Sequence, residues 1–570
     1  MTKTSLDEVA LSRPARAADA GPVDDRLYDL VETRLRRLCR DNPVLATSIG
    51  IHTEDARLGN GDRDAVLQEI AADRAHLAEV EAIDPEGLSA GARFERDLEI
   101  HNVRRTLFEA DDVRIWERRS TAMDTVGTGL FLLFARDFSP LAERLDSITG
   151  RVEQIPGFLD ESRRRAVVPQ VRLWQQLEID TATELPVLFA DIESAAARVI
   201  PDAGLRRLER ALTQARESVA GYTDWLTSSL AGGVDDWALG RERFDEAIAL
   251  RSFDGLDADA ILEIGWQQLA DAKAARVAAA REIDPDTDEA TVVDRVKADH
   301  PATFEEALEA YRTAMVRARQ HLIDRAIVTV PPDERISVVE TPDYLRNIIP
   351  FAAYFEPPKF DRDPTGIYVV TPSVGGAAGA MLEHNYSSIS NTSIHEAYPG
   401  HHLQLSVGAR HPSLSRLTTE APEFVEGWGM YSEQMMREQG FDVDAKFRLT
   451  MYTDVIWRAC RIVLDVQMHR GEIGVDEAVR WLVKQTSFEE PNARAEIHRY
   501  TFTPTYQLSY LLGKVLLLQL RADEQRRLGS AFSLRGFHDT LLRNGTLPIS
   551  FHRRLLAGAS QAGSQQSGGS

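Results

Sequence analysis

A chain of 570 residues has room for several domains or one large helical body, and with 43% hydrophobic residues it can bury a substantial core. Its 66 Lys and Arg stand against 89 Asp and Glu, a net charge of -23, which argues against nucleic acid or an anionic membrane as partner. Two distant cysteines, Cys39 and Cys460, give no disulfide framework and fit a reducing, cytoplasmic setting.

Residues 1–22 are Ala-, Arg- and Asp-rich, lack the apolar segment of a secretory signal, and are expected to form a disordered arm. From 23 to 325 the pattern is helical. Leu141, Leu145, Ile148, Val152, Ile155 and Leu159 recur at three- and four-residue steps, the apolar face of one long helix. Similar stretches run through 63–82, 88–110, 186–230, 258–283 and 303–325. The character changes near Ile327. Ile336–Thr341 and Gly366–Thr371 are short, β-branched and bounded by prolines, so they read as strands, with a Pro- and Phe-rich loop between them. A Gly/Ala stretch, Gly375–Ala380, lacks the spacing of a dinucleotide fingerprint and reads as a close-packed loop. Helical pattern resumes at about 421. The run Leu508–Leu520 is too short to span a bilayer and carries Lys514. The segment 326–555 forms the expected catalytic region and 556–570 a flexible polar tail. The expected fold is mainly α, a large multi-helix body with one small β-sheet before a metal-site helix.

That site is read from His395-Glu396-Ala397-Tyr398-Pro399-Gly400-His401-His402, followed by Glu423-Phe424-Val425-Glu426-Gly427-Trp428. Two histidines, a free carboxylate beside the first and a glutamate downstream are the inventory of a catalytic zinc site. The spacing is not that of H-E-x-x-H, in which both histidines share one helical face. In an unbroken helix His401 would lie about 120° round the axis from His395 and roughly 9 Å along it, and His402 roughly 10.5 Å along. Pro399 cannot bond the carbonyl of His395 and crowds it, so a broken turn at Pro399-Gly400 is expected to swing a histidine back. The competing reading is a helix that simply ends at Pro-Gly with two surface histidines. Glu426, on an apolar and aromatic face with Trp428 and Tyr431, is the expected third ligand, since a carboxylate there is costly unless paired or metal-bound. Glu423 and Glu433 share that face and read as a solvated charge stripe. Gly427 and Gly429 suggest close approach of another backbone. Zinc is the default ion for this donor set, with Co, Mn or Fe as alternatives.

HEAYPGHHLQ and EFVEGWGMYSE resemble a large bacterial family catalogued as a domain of unknown function, with signatures H-E-x-x-P-G-H and E-G-W-x-x-Y-x-E. Its members are usually described as candidate zinc metallopeptidases related in site logic to the gluzincins. The resemblance runs from about 25 to 555 and includes Asp465–His469 and the late segment Arg499-Tyr500…Pro504-Thr505-Tyr506-Gln507…Tyr510…Gly513. It implies a zincin-like metallohydrolase fold, metal ligands His395, His401 and Glu426, and Glu396 as general base. His402 occupies a more variable family position than His401. Tyr510 and His469 are implied donors to the developing oxyanion, and Asp465 stands one helical turn from His469. Tyr431 and Tyr500 are weaker candidates. Either of the two leading residues has a plain structural reading as well, Tyr510 as core and His469 as a surface histidine. The strand Ile367–Thr371 is expected either to take up a peptide along its edge, as gluzincin-like enzymes do, or to be a structural hairpin. Thr505-Tyr506 departs from the family's Gly-Gln.

Three functions follow. The first is a zinc-dependent hydrolase of an amide in a peptide or small molecule. The second is a metal-dependent biosynthetic enzyme on a small non-peptide substrate, for which the Thr505-Tyr506 departure is the hint. The third is a helical binding protein with a relic site, against which the intact His395-Glu396 pair argues.

Overall fold

The computed structural model describes residues 13–341, 346, 349, 352–360, 364–372 and 380–566. Among them the protein is mainly α-helical, with one three-stranded sheet. The Gly375–Gly379 part of the expected loop lies outside the described residues. Contacts divide the chain into two compact units, Met1–Trp237 with Pro358–Pro364 and Pro412–Ser415, and Ala238–Pro357 with Thr365–His411 and Arg416–Ser570. The composition changes near 326, but the contacts divide at 237/238. The reason is packing: helix Ala258–Ile283 lies along helix Ala445–His469, and Phe304–Asp324 packs on Tyr386–Glu396.

The first unit is built of helices. In Leu141–Arg165 the residues Leu145, Ile148, Val152, Ile155 and Leu159 are buried, as their spacing predicts. The stretch expected at 186–230 is two helices, Arg172–Val199 and Asp202–Ser229. Pro201 disfavours helical angles at Ile200, which is extended, and so ends the first helix. The described part of the arm is tied to the first helix: Arg13 pairs with Asp29 and Glu32 at 2.6 and 2.8 Å, and Arg16 with Asp25 at 3.4 Å.

The second unit carries the sheet. Strands β1 (Ile336–Glu340) and β3 (Gly366–Val370) are the two expected, and β2 (Ala352–Phe355) forms inside the stretch read as a loop. The order is β1-β3-β2, with β1 parallel and β2 antiparallel to β3. The strand that was to receive a peptide is therefore central, paired on both sides, and has no free edge to offer. The tail also differs from expectation, because helix Ile549–Gln566 runs through most of it.

Two close helix crossings hold the unit together. A Cβ on Gly265 would meet Ile462 Cγ2 at 2.8 Å, so only glycine lets helix Ala258–Ile283 come so near its neighbour. Helix Pro422–Glu438 packs along Ser509–Leu528 in the same way, glycine against glycine. A Cβ on Gly513 would fall 2.0 Å from the carbonyl oxygen of Glu423, and one on Gly427 2.5 Å from the carbonyl carbon of Gly513. This crossing fixes the helix that bears Glu426.

Candidate metal centre

Helix Tyr386–Glu396 begins at Asn385, whose side chain accepts the Ser388 N–H at 2.9 Å, and it stops one residue after His395. The break expected at Pro399-Gly400 is present, and packing makes it tight. Gly400 N–H donates to the Ile394 carbonyl at 3.0 Å, and a Cβ there would sit 1.7 Å from the His395 carbonyl oxygen. Trp428 Nε1 donates to the Pro399 carbonyl at 2.7 Å, pinning the turn to the glutamate helix. A new helix, His401–Gly408, starts at once.

The outcome is that His395 and His401 face one another, ring centroids 4.7 Å apart. Their Nε2 atoms converge on one oxygen, Glu426 Oε2, at 3.7 and 3.4 Å. Two metal bonds of about 2.0–2.1 Å at the tetrahedral angle separate their donor atoms by about 3.3–3.4 Å, so this donor set fits a small divalent ion. Glu396 belongs to the same cluster: one ligand atom each from His395, Glu396 and His401 lie within 4.8 Å of one another. Gly429, expected to admit a backbone, instead admits an imidazole. A Cβ there would meet the His395 ring at 2.7–2.9 Å.

The two adjacent histidines diverge. His402 is fully buried and points toward the sheet, its Nε2 2.6 Å from Glu334 Oε2 and its Nδ1 2.9 Å from the hydroxyl of Tyr354 on β2. Tyr398 and Arg319 also donate to Glu334, at 2.6 and 2.8 Å. Both ring nitrogens of His402 are thus engaged away from Glu426.

Glu433 is not part of a solvated stripe. It is buried, and its Oε1 lies 2.7 Å from His395 Nδ1, which leaves Nε2 directed at Glu426. Its other oxygen accepts from Asn391 Nδ2 at 3.0 Å. Holding the far nitrogen of a ligand histidine in this way fixes ring and tautomer. Glu423, also read as solvated, is buried against Arg251 at 2.7 Å. Burial alone would lower the His395 imidazole, but the carboxylates of Glu426 and Glu433 outweigh it and hold it at about 10. Burial would raise Glu426, and the two histidines reverse that, keeping it well below the usual carboxylate range.

The fold has solved counterparts. A "putative lipoprotein of unknown function" from Shewanella oneidensis matches with a TM-score of 0.77 and 20% identity, over 93% of this chain and 99% of that one. A "putative lipoprotein" from Colwellia psychrerythraea matches with a TM-score of 0.80 and 17% identity, over 94% and 99%. No curated protein is significantly similar. The family model described as "Bacterial protein of unknown function (DUF885)" matches residues 43–556. The chain belongs to this family. Its DUF885 region, residues 43–556, includes parts of both compact units and every residue of the candidate metal centre. No described helix is long and apolar enough to cross a membrane. The lipoprotein names belong to the two neighbours and lend the expected cytoplasmic location no support.

Of the other residues singled out in this DUF885 chain, His469 takes a structural place. It is fully buried, stacks on Phe244 with ring centroids 5.6 Å apart, and its Nε2 meets the Tyr500 carbonyl at 2.9 Å and Asp465 at 3.8 Å. Burial pushes it down to about 4. Tyr431 bonds His538 at 2.7 Å and Tyr500 bonds Glu496 at 2.7 Å, so both hydroxyls are used elsewhere.

Tyr510 stands near the cluster through Tyr506, a residue the sequence marked only as a departure. The Tyr506 hydroxyl donates to Glu426 Oε1 at 3.0 Å, and its ring meets that of Tyr510 edge-on, centroids 6.0 Å apart. Thr505, just before it, has φ +66°, a left-handed conformation unusual for a β-branched residue. Asp465 accepts its N–H at 2.9 Å, and Arg251 donates to its Oγ1 at 3.2 Å. These bonds from two other helices hold the turn that presents Tyr506.

Proposed function

We propose that the protein is a zincin-like, metal-dependent hydrolase of amide bonds, with the ion held by His395, His401 and Glu426. The observation that carries this is the convergence of two histidine Nε2 atoms on one Glu426 oxygen, at 3.7 and 3.4 Å, with Glu396 in the same cluster. Zinc is the ion of choice for two nitrogens and one carboxylate, and when bound it acidifies water and polarises a carbonyl.

The residues of the chain supply the rest. Glu396 follows a ligand histidine and is half-buried, so its carboxylate takes the proton of the attacking water and hands it to the departing nitrogen. Glu433 keeps the His395 ring oriented, and Tyr506 fixes the second oxygen of Glu426. Tyr510 supplies the hydroxyl for the oxyanion. His469 is not assigned that part, because the ring is fully buried and its Nε2 faces the Tyr500 carbonyl and Asp465.

Elemental analysis of purified protein tests the reading. About one divalent ion per chain is expected, lost in His401→Ala and kept in His402→Ala. Loss from His402→Ala with retention in His401→Ala would reject the ligand set.

A further inference from the structure

Positive charge gathers beside the metal centre of this acidic chain. Arg458 and Arg461 project from helix Ala445–His469, and Arg499 from helix Glu490–Tyr500. The guanidiniums of Arg461 and Arg458 lie 4.4 and 6.0 Å from the ring centroid of Tyr510. Tyr510 in turn packs on Tyr506, which donates to Glu426. The arginines therefore stand two phenol rings away from the proposed ligand set.

Their hydrogen bonding is incomplete. Arg461 is 3% exposed. Its Nε donates to the Tyr500 hydroxyl at 3.2 Å and its Nη2 to Glu496 at 2.9 Å. Its Nη1 makes no hydrogen bond of normal geometry, although the Tyr510 phenol lies beside it. Nε of Arg458 is buried without a partner as well, while that guanidinium stacks 3.8 Å over Trp457 and meets Asp454 at 3.4 Å. A buried N–H left without an acceptor is costly, so two in one cluster point to an acceptor that arrives from outside. Arg461 and Arg499 share one carboxylate, Glu496, and Arg458 meets Asp454. Burial holds Asp454 above its ordinary range, which weakens it as a counter-charge. The planar fork of a guanidinium matches a carboxylate.

We propose that Arg461, assisted by Arg458, is a recognition subsite for a free carboxylate on the substrate, so that the amide cleaved lies next to a terminal acid group. This rests on the hydrolase reading and specifies its substrate class. In a peptide the consequence is release of the C-terminal residue.

The test offers the metal-replete protein two pools of N-acetylated tetrapeptides of identical sequences, one with free C-terminal carboxylates and one amidated, and reads cleavage by mass spectrometry. The free acids should be cut about 10- to 100-fold faster, the scale of a hydrogen bond to a charged group. Loss should occur one residue from the C-terminus. Arg461→Lys keeps the buried charge but not the fork, and with Arg458→Gln it should pull the acid-to-amide ratio toward one while melting stays near wild type. Equal cleavage of both pools, or a ratio unmoved by both variants, overturns the subsite and leaves the hydrolase reading standing. Should neither pool be cut, the reaction proposed above fails, and binding then judges the subsite. Equilibrium dialysis against metal-loaded Glu396→Gln protein should retain the acids over the amides, with that preference lost on adding Arg461→Lys. Equal retention, or none, overturns it.

Discussion

His395 and His469 are both buried, both lie near a carboxylate, and both come from segments that the sequence marks for chemistry. Their surroundings act on them in opposite directions. Around His395 two glutamates reach the ring nitrogens, and the imidazole is held up at about 10 despite its burial. Around His469, Asp465 stands at 3.8 Å and is itself raised by burial, the Tyr500 carbonyl lies 2.9 Å from Nε2, and burial pushes the ring down to about 4. Burial is common to both pockets. The difference in direction follows from the carboxylates, which reach the ring nitrogens of His395 and stand farther from those of His469.

The largest effect is expected at Glu396, whose proposed role belongs to the first pocket alone. Glu396→Gln keeps the shape and removes the basicity. Turnover on a cleaved substrate should fall by about 10²–10⁴, with metal content and melting temperature near wild type. Wild-type turnover in the metal-replete variant would leave the mechanism without its base.

The second pocket makes its own prediction. His469 is held below its ordinary 6.5, so the unfolded chain takes up the proton first as the pH falls. Its contribution to stability is complete above about pH 6.5 and is lost progressively down to about pH 4, a loss of at most about 3 kcal/mol. Denaturant titrations across that range, compared between wild type and His469→Gln, isolate this term. Asp465 is present in both proteins and largely cancels. Identical pH profiles would show that the ring is not held neutral.

A smaller effect is expected at Glu433, which acts through His395. Glu433→Gln should weaken metal affinity by about 10- to 100-fold, measured by competition with a chelator. Unchanged affinity would make that contact purely structural. The least effect on metal belongs to His402→Ala. It should cost stability, because it strips a partner from buried Glu334, yet leave the ion in place.

Local pattern carried much of this. The apolar steps from Leu145 to Leu159, strands β1 and β3, and the helix ends near 283 and 324 follow from periodicity and from Pro or Gly punctuation. The break at Pro399-Gly400 was legible for the same reason, since a proline without an N–H and a glycine without a Cβ act on the atoms beside them. Strand β2 was not, because Ala352–Phe355 becomes a strand by pairing with β3, and nothing within the four residues demands it.

The sequence by itself determined a mainly helical chain with a small sheet ahead of the motif, a broken turn after His395, and glutamates spaced to share one helix face. The tertiary structure decided which members of that set converge. It sent His401 toward Glu426 and His402 toward Glu334, turned Glu433 from a surface charge into the partner of His395, and set Tyr506 on Glu426. It also removed His469 to a pocket of its own. The physical reason is range. Propensity and backbone sterics act over a few residues, whereas a site joining positions 395, 426, 433 and 506 depends on glycine-lined crossings such as Gly427 on Gly513, which exist only once the helices have packed.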